Sequence, residues 1–156
     1  MSDLHVVLVE PEIHWNTGNA GRTCLAVGAQ LHLIRPLGFS LREKQIRRAG
    51  LDYWPRVRPE VWADWPSFAR VLPALGTPLF FAARGPRSFQ DVIYPRPAVL
   101  IFGRESVGLP PEILERHAVD TVAIPMLDPE LRSLNLSTSV ALAAYEARRQ
   151  WSQRRG

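Results

Sequence analysis

Leu4-His5-Val6-Val7-Leu8-Val9, closed by Glu10-Pro11, is the stretch that decides the fold class. A short, β-branched, almost wholly apolar run of this kind reads as a buried strand opening an α/β domain. Downstream, Asn16 to about Val27 predicts a helix capped by Asn16 and stopped at Gly28, with Leu31-His32-Leu33-Ile34 as the next strand. The same alternation continues to the C-terminus. Ser40-Leu41-Arg42-Glu43 has capping-box spacing and predicts a basic helix ending at Gly50, and Asp64 or Pro66 opens another that runs through Leu72. Leu79–Ala82, Val99–Phe102 and Thr121–Ile124 read as further strands, Pro110–Arg116 as a short helix, and Leu136 to Trp151 as a helix with Val140, Ala143, Ala144 and Ala147 on one face. Strands alternating with helices predict an α/β fold, a mostly parallel sheet flanked by helices, with ligands at the carboxyl ends of the strands.

Composition narrows the class. The 156 residues are 46% hydrophobic and 22% charged, enough for a single domain over 1–156 with a real core. No apolar run approaches the roughly 20 residues of a membrane helix, and Met1-Ser2-Asp3-Leu4-His5 has neither a basic leader nor a cleavage site. A soluble cytoplasmic protein is the expectation. The lone Cys24 forbids an internal disulfide, and its neighbours Leu25, Ala26 and Val27 make it a small buried apolar residue instead of a nucleophile. A net charge of +4 favours a polyanionic partner.

Several chemistries lack their residues. Glu10-Pro11-Glu12 stands where a dinucleotide fold needs its glycine fingerprint, and Leu109 stands where the loop Gly103–Gly108 would need a lysine to cradle a nucleoside triphosphate. His5, His14, His32 and His117 have no metal-ligand spacing, so no metal is expected. There is no G-x-S-x-G elbow, and Asn135-Leu136-Ser137 matches a glycosylation acceptor only by chance.

Three polar, glycine-bearing islands remain: Asn16-Thr17-Gly18-Asn19-Ala20-Gly21-Arg22, Phe102-Gly103-Arg104-Glu105-Ser106-Val107-Gly108-Leu109, and Ile124-Pro125-Met126 with Arg132-Ser133-Leu134-Asn135-Leu136-Ser137. In this order they resemble the three motifs of the SPOUT superfamily of S-adenosylmethionine-dependent RNA methyltransferases. Glu10-Pro11-Glu12-Ile13 and Arg47-Arg48-Ala49-Gly50-Leu51-Asp52-Tyr53 further resemble its TrmL group, the tRNA (cytidine/uridine) wobble-position 2′-O-methyltransferases. Two features depart from that pattern: His14-Trp15 replaces a pair of prolines, and the link from Met126 to Arg132 is about one residue longer.

The resemblance implies a C-terminal trefoil knot, which topological rules alone would have pruned, and a homodimer with the first and last helices at its interface. It implies S-adenosyl-L-methionine held against Phe81, Gly103, Ile124, Met126, Ser133 and Leu134. It also implies catalytic roles for Asn19, Arg22, Glu105 and Asn135, with tRNA as partner, leucine isoacceptors foremost, and not DNA. Each residue has a plainer reading. Arg22 shares a helix face with Asn19 and suits a phosphate, yet a lone arginine is commonly just solvated. A guanidinium accepts no proton, so the resemblance casts Arg22 as orienting phosphate and polarising the hydroxyl. Glu105 is read as capping the Pro110–Arg116 helix, ordering its own loop, or holding the partner's Asn19 or Arg22. Ser133 and Asn135 are equally natural caps of the last helix. Arg42, Lys44, Arg47 and Arg48 beside Tyr53 and Trp54 suit an RNA backbone and an unpaired base, although charge runs are usually solvated faces. The rival functions are a ribosomal RNA ribose methyltransferase, a non-catalytic RNA-binding module of the same fold, and an oxidoreductase lacking its fingerprint.

Overall fold

The structure is a computed structural model and describes residues 2–42, 44–45 and 51–154. β1 (Leu4–Val9) is buried along its whole length and sits between β2 (Gln30–Ile34) and β5 (Ala98–Phe102). With β3 (Glu60–Trp62), β4 (Thr77–Phe81) and β6 (Thr121–Val122) these form a six-stranded sheet in the order β3-β2-β1-β5-β4-β6, parallel at every pairing. The alternating side chains explain why the central strands β1 and β5 are apolar on both faces. Val6, Leu8, Leu33, Leu100 and Phe102 point into a layer with α1 (His14–Val27) and α5 (Leu136–Gln153), while Val7, Val9, Ile34, Val99 and Ile101 meet Phe68 and Leu72 of α3 (Trp65–Leu75) and Ile113 of α4 (Pro111–Arg116). Helices therefore cover both faces, as a parallel sheet requires.

Strand order reverses direction at β1, so the loops after β1 and β5 flank the switch point where such sheets open a crevice. The expected elements are present with several shifts. α1 starts at His14, with Ile13 at its N-cap position and no local side-chain cap. Asn16 thus lies inside the helix, buried, instead of capping it. Gly28 ends α1 in the left-handed conformation as expected. Asp64 caps α3 by accepting the Ser67 amide at 2.8 Å, and the helix carries on past Leu72 to Leu75 with Pro73 inside its last turn. β6 stops two residues short of Ile124, since Ala123 turns away to bond with Arg87 and Phe89. Neither β3 nor α2 (Trp54–Val57) was expected. Of the basic helix, Ser40 accepts the Arg42 amide and Lys44–Gln45 are helical; Glu43 and residues 46–50, with Arg47 and Arg48, lie outside the described residues.

Candidate functional site

β4, β5 and β6 deliver their loops to the same end of the sheet, and between them opens a cleft of about 730 Å³. Its floor is apolar: Phe81 and Phe102 end adjacent strands and stack with ring centroids 4.6 Å apart. The six residues expected around a cofactor, Phe81, Gly103, Ile124, Met126, Ser133 and Leu134, all line it, as do Glu105 and Asn135. Among the described residues, the backbones of Ile124, Met126, Ser133 and Leu134 have no hydrogen-bond partner. An apolar floor edged by free backbone donors and acceptors suits a ligand with a flat heteroaromatic ring and a polar tail, which is the chemistry of S-adenosylmethionine.

The loop after β5 is shaped by its own turn. Arg104 and Gly108 exchange two backbone hydrogen bonds, at 3.2 and 2.9 Å, and a Cβ at Gly103 would run into the Gly108 backbone. Three side chains then strap this loop to the segment after β1. Arg104 donates through Nε and Nη2 to the Glu10 carboxylate at 3.1 and 2.9 Å. Ser106 donates its hydroxyl (2.6 Å) and amide (3.0 Å) to Glu12, which holds that carboxyl below the usual carboxylate range. Glu105 in turn accepts the amides of Glu12 at 2.7 Å and Ile13 at 3.4 Å. Glu105 therefore holds the entry to α1, the N-cap Ile13 and the residue before it, from 93 residues away in sequence, and does not cap α4.

Asn135 is bonded through both its side-chain oxygen and its amide nitrogen. Its oxygen accepts from Ser137 and Thr138 at the start of α5, and its amide donates to Asn16 at 3.0 Å. The cap expected of Asn135 is thus present, joined to a brace between α5 and α1. Ser133 is exposed on the cleft's rim. Asn16, a polar residue only 3% exposed, is the site residue that its sequence context hides, because an Asn at the start of a helical stretch looks like a cap.

Asn19 and Arg22 lie outside the cleft of their own chain, on the exposed face of α1. The Arg22 guanidinium stacks 5.5 Å over the Tyr53 ring, and the Tyr53 hydroxyl donates to the Gly18 carbonyl at 2.8 Å. Burial raises the Tyr53 phenol above its ordinary value, so it stays a donor. Tyr53 thus tethers the platform on which Arg22 rests. Trp54 departs from its expected role: it is 8% exposed, its ring 2.9 Å from where a Gly21 Cβ would sit, so it is core and offers no face to a base. Arg42 and Lys44 are exposed. Cys24 is buried, its thiol pushed up to about 12 by burial, which removes it as a nucleophile.

Comparison with known proteins agrees with this geometry. Residues 3–145 match the SpoU rRNA Methylase family. The tRNA (cytidine(34)-2′-O)-methyltransferase of Burkholderia cenocepacia (strain HI2424) is 46% identical over 148 residues, covering 94% of each chain. A solved structure described as "Structural insights into the 2-OH methylation of C/U34 on tRNA" superposes with a TM-score of 0.89 at 46% identity, over 97% of this chain and 98% of that one. The AdoMet-bound rRNA methyltransferase of Sinorhizobium meliloti superposes at 0.78 with 26% identity, over 96% of this chain and 57% of that one.

Proposed function

Since the chain belongs to the SpoU rRNA Methylase family, we propose that it methylates the ribose 2′-oxygen of the wobble nucleotide, cytidine or uridine 34, of tRNA, with leucine isoacceptors as the expected substrates. It is an S-adenosyl-L-methionine-dependent methyltransferase. The observation that carries the reading is the convergence of the second and third motif segments, with Asn16 of the first, on one apolar-floored cleft.

When bound, the cofactor supplies a methyl group on a positively charged sulfur. The chain's residues do the rest. Phe81 and Phe102 would offer the cofactor's ring an apolar floor, and the free backbone groups of Ile124, Met126, Ser133 and Leu134 would hold its polar atoms. Glu105 and Asn135 hold α1 and α5 in register around the cleft, and the Asn135 capsule of hydrogen bonds sets the distance to Asn16. Arg22, aimed outward from Tyr53, binds a tRNA phosphate and polarises the neighbouring hydroxyl; it is no proton acceptor, so the hydroxyl proton passes to that phosphate or to a water. Asn19 sits one turn before it on the same face.

Because Arg22 and Asn19 face away from their own cleft, the reading needs a second subunit to complete the site. The adjoining α1 and α5 expose Trp15, Leu142 and Tyr145, at 57%, 41% and 56%, which suits a homodimer interface there. A trefoil knot formed by the C-terminal segment, and a cytoplasmic location, belong to the same proposal. Among the described residues no helix is long and apolar enough to cross a membrane.

The test is to incubate the purified protein with methyl-labelled S-adenosylmethionine and tRNA lacking the modification, then map the product by nuclease digestion and mass spectrometry. A methyl on the ribose of nucleotide 34 is expected. A methyl on ribosomal RNA alone, or cofactor binding without transfer to any RNA, would replace this reading with one of its rivals.

A further inference from the structure

The segment from Leu127 to Leu131 divides the cleft's two polar walls, Ile124–Met126 on one side and Ser133–Asn135 on the other. It is exposed throughout, Leu127 completely so. Internally it has one hydrogen bond, from the Glu130 amide to the Asp128 carboxylate at 2.8 Å. Among the described residues, a single outside group bonds to it. That group is Arg84, three residues past the end of β4 and itself on the cleft, whose Nη2 faces the carbonyls of Leu131 at 2.7 Å, Asp128 at 3.2 Å and Pro129 at 3.3 Å. Just beyond, Arg132 donates to the Ser106 carbonyl at 3.1 Å and ties the far end to the loop after β5.

We propose that Arg84 is a positioning residue that fixes the 127–131 loop and so sets the spacing of the two backbone walls that hold the cofactor. The inference rests on the methyltransferase reading for its ligand but not for its geometry. The guanidinium suits the task because Nη2 carries two N–H groups and no acceptor and is held at the tip of a rigid plane, so one group faces the carbonyls of Asp128, Pro129 and Leu131 together. Without it, five consecutive exposed residues have only local bonding to define their path, and the walls on either side lose a common reference. Ordering them then falls to the ligand, which weakens its affinity. Arg84 acts through the loop and not on the reacting atoms, so the cost falls on cofactor binding more than on transfer.

Arg84→Ala and Arg84→Lys are compared with the wild-type protein in three measurements: Kd for S-adenosylhomocysteine by calorimetry, the split between cofactor KM and kcat, and the rate of cleavage at Leu127 and Leu131 by a protease that cuts after leucine. Arg84→Ala is expected to raise Kd about tenfold, a 1.4 kcal/mol change, with kcat at saturating cofactor altered by no more than about twofold. Loop cleavage accelerates, and the melting temperature stays within about 3 °C, as for a surface substitution. Lysine, a compact donor without the planar fork, gives an intermediate Kd and cleavage rate. Weaker binding with unchanged cleavage would overturn the inference by making Arg84 a direct ligand contact, and unchanged cleavage with unchanged Kd would remove its role altogether. A wild-type protein that binds no cofactor defeats the methyltransferase reading instead, and the protease comparison, which needs no cofactor, still decides whether Arg84 fixes the loop.

Discussion

The carboxylate of Glu105 accepts the backbone amides of Glu12 at 2.7 Å and Ile13 at 3.4 Å, so a residue of the loop after β5 holds the two residues that lead into α1, more than 90 positions earlier in the chain. The first amides of any helix lack intrahelical partners and carry its positive end, and a carboxylate there answers both needs. Glu105 joins two of the three motif segments through this contact, since Ile13 and Asn16 border the same cleft.

Glu105→Ala is accordingly expected to cost about 1–2 kcal/mol of stability, the range of a lost cap. Glu105→Gln keeps an acceptor but loses the charge and should lose about half as much. Chemical denaturation of the three proteins checks this. An alanine variant as stable as wild type would mean that water replaces the carboxylate at α1 without penalty.

Arg22→Ala is expected to lower methyl transfer about a hundredfold or more, the effect of removing one charged group that supports developing charge. Cofactor affinity should stay within about twofold, because Arg22 is assigned to the tRNA phosphate and not to the cofactor. Tyr53→Phe removes the bond to the Gly18 carbonyl while leaving the ring under Arg22. Its activity should fall less than that of Arg22→Ala. Single-turnover rates and cofactor titrations separate the two effects, and an Arg22→Ala enzyme with wild-type turnover would take Arg22 out of the mechanism.

The central strands were legible because a doubly covered sheet demands runs such as Val6–Val9 and Val99–Phe102, apolar on both faces. β3 was not. Its three residues are mostly exposed, and its pairing with His32–Ile34 comes from the tertiary fold, not from local pattern. The polar islands were visible as islands, but their internal reasons differ from what spacing suggests. Gly103 is required by its own turn, and Gly21 by the Trp54 ring lying on α1. Adjacency of Tyr53 and Trp54 in sequence hid that one lies under a guanidinium and the other in the core. No sequence rule could have paired Asn16 with Asn135, 119 residues apart.

Trp54 gives a sharp test of that distinction. Trp54→Ala should destabilise the fold by about 3–5 kcal/mol, the usual penalty for emptying a large core site. Gly21→Ala, which drives a methyl against the same ring, should cost about 1–3 kcal/mol through overpacking. Neither substitution should change the tRNA affinity of the folded fraction. Filter binding alongside thermal unfolding checks both, and a stable Trp54→Ala protein with weakened tRNA binding would restore the ring to the RNA surface.

The final prediction concerns pH and follows from a buried chain of rings. The Trp62 indole can only donate, and it donates to His32 Nδ1 at 3.1 Å. His32 therefore carries its proton on Nε2 and offers it to His5 Nδ1 at 2.9 Å, so both histidines are neutral. Protonating His32 would place a second donor against the indole N–H, with only Glu60, 3.9 Å away and largely exposed, to offset the charge. Burial, helped by the nearby His5, lowers His32 from its usual 6.5 to about 4, and burial lowers His5 as well. Between about pH 6.5 and 4 the unfolded chain thus binds protons that the folded chain refuses, and linkage makes stability fall as pH is lowered through that window. His32 alone accounts for a loss of about 3 kcal/mol that is complete below its folded value and absent above pH 7. Urea unfolding from pH 8 to 4 is expected to show this slope in the wild-type protein and a shallower one in a His5→Phe/His32→Leu variant. Parallel slopes for the two proteins would show that acid lability comes from the surface carboxylates and leaves the histidine pair indifferent to pH.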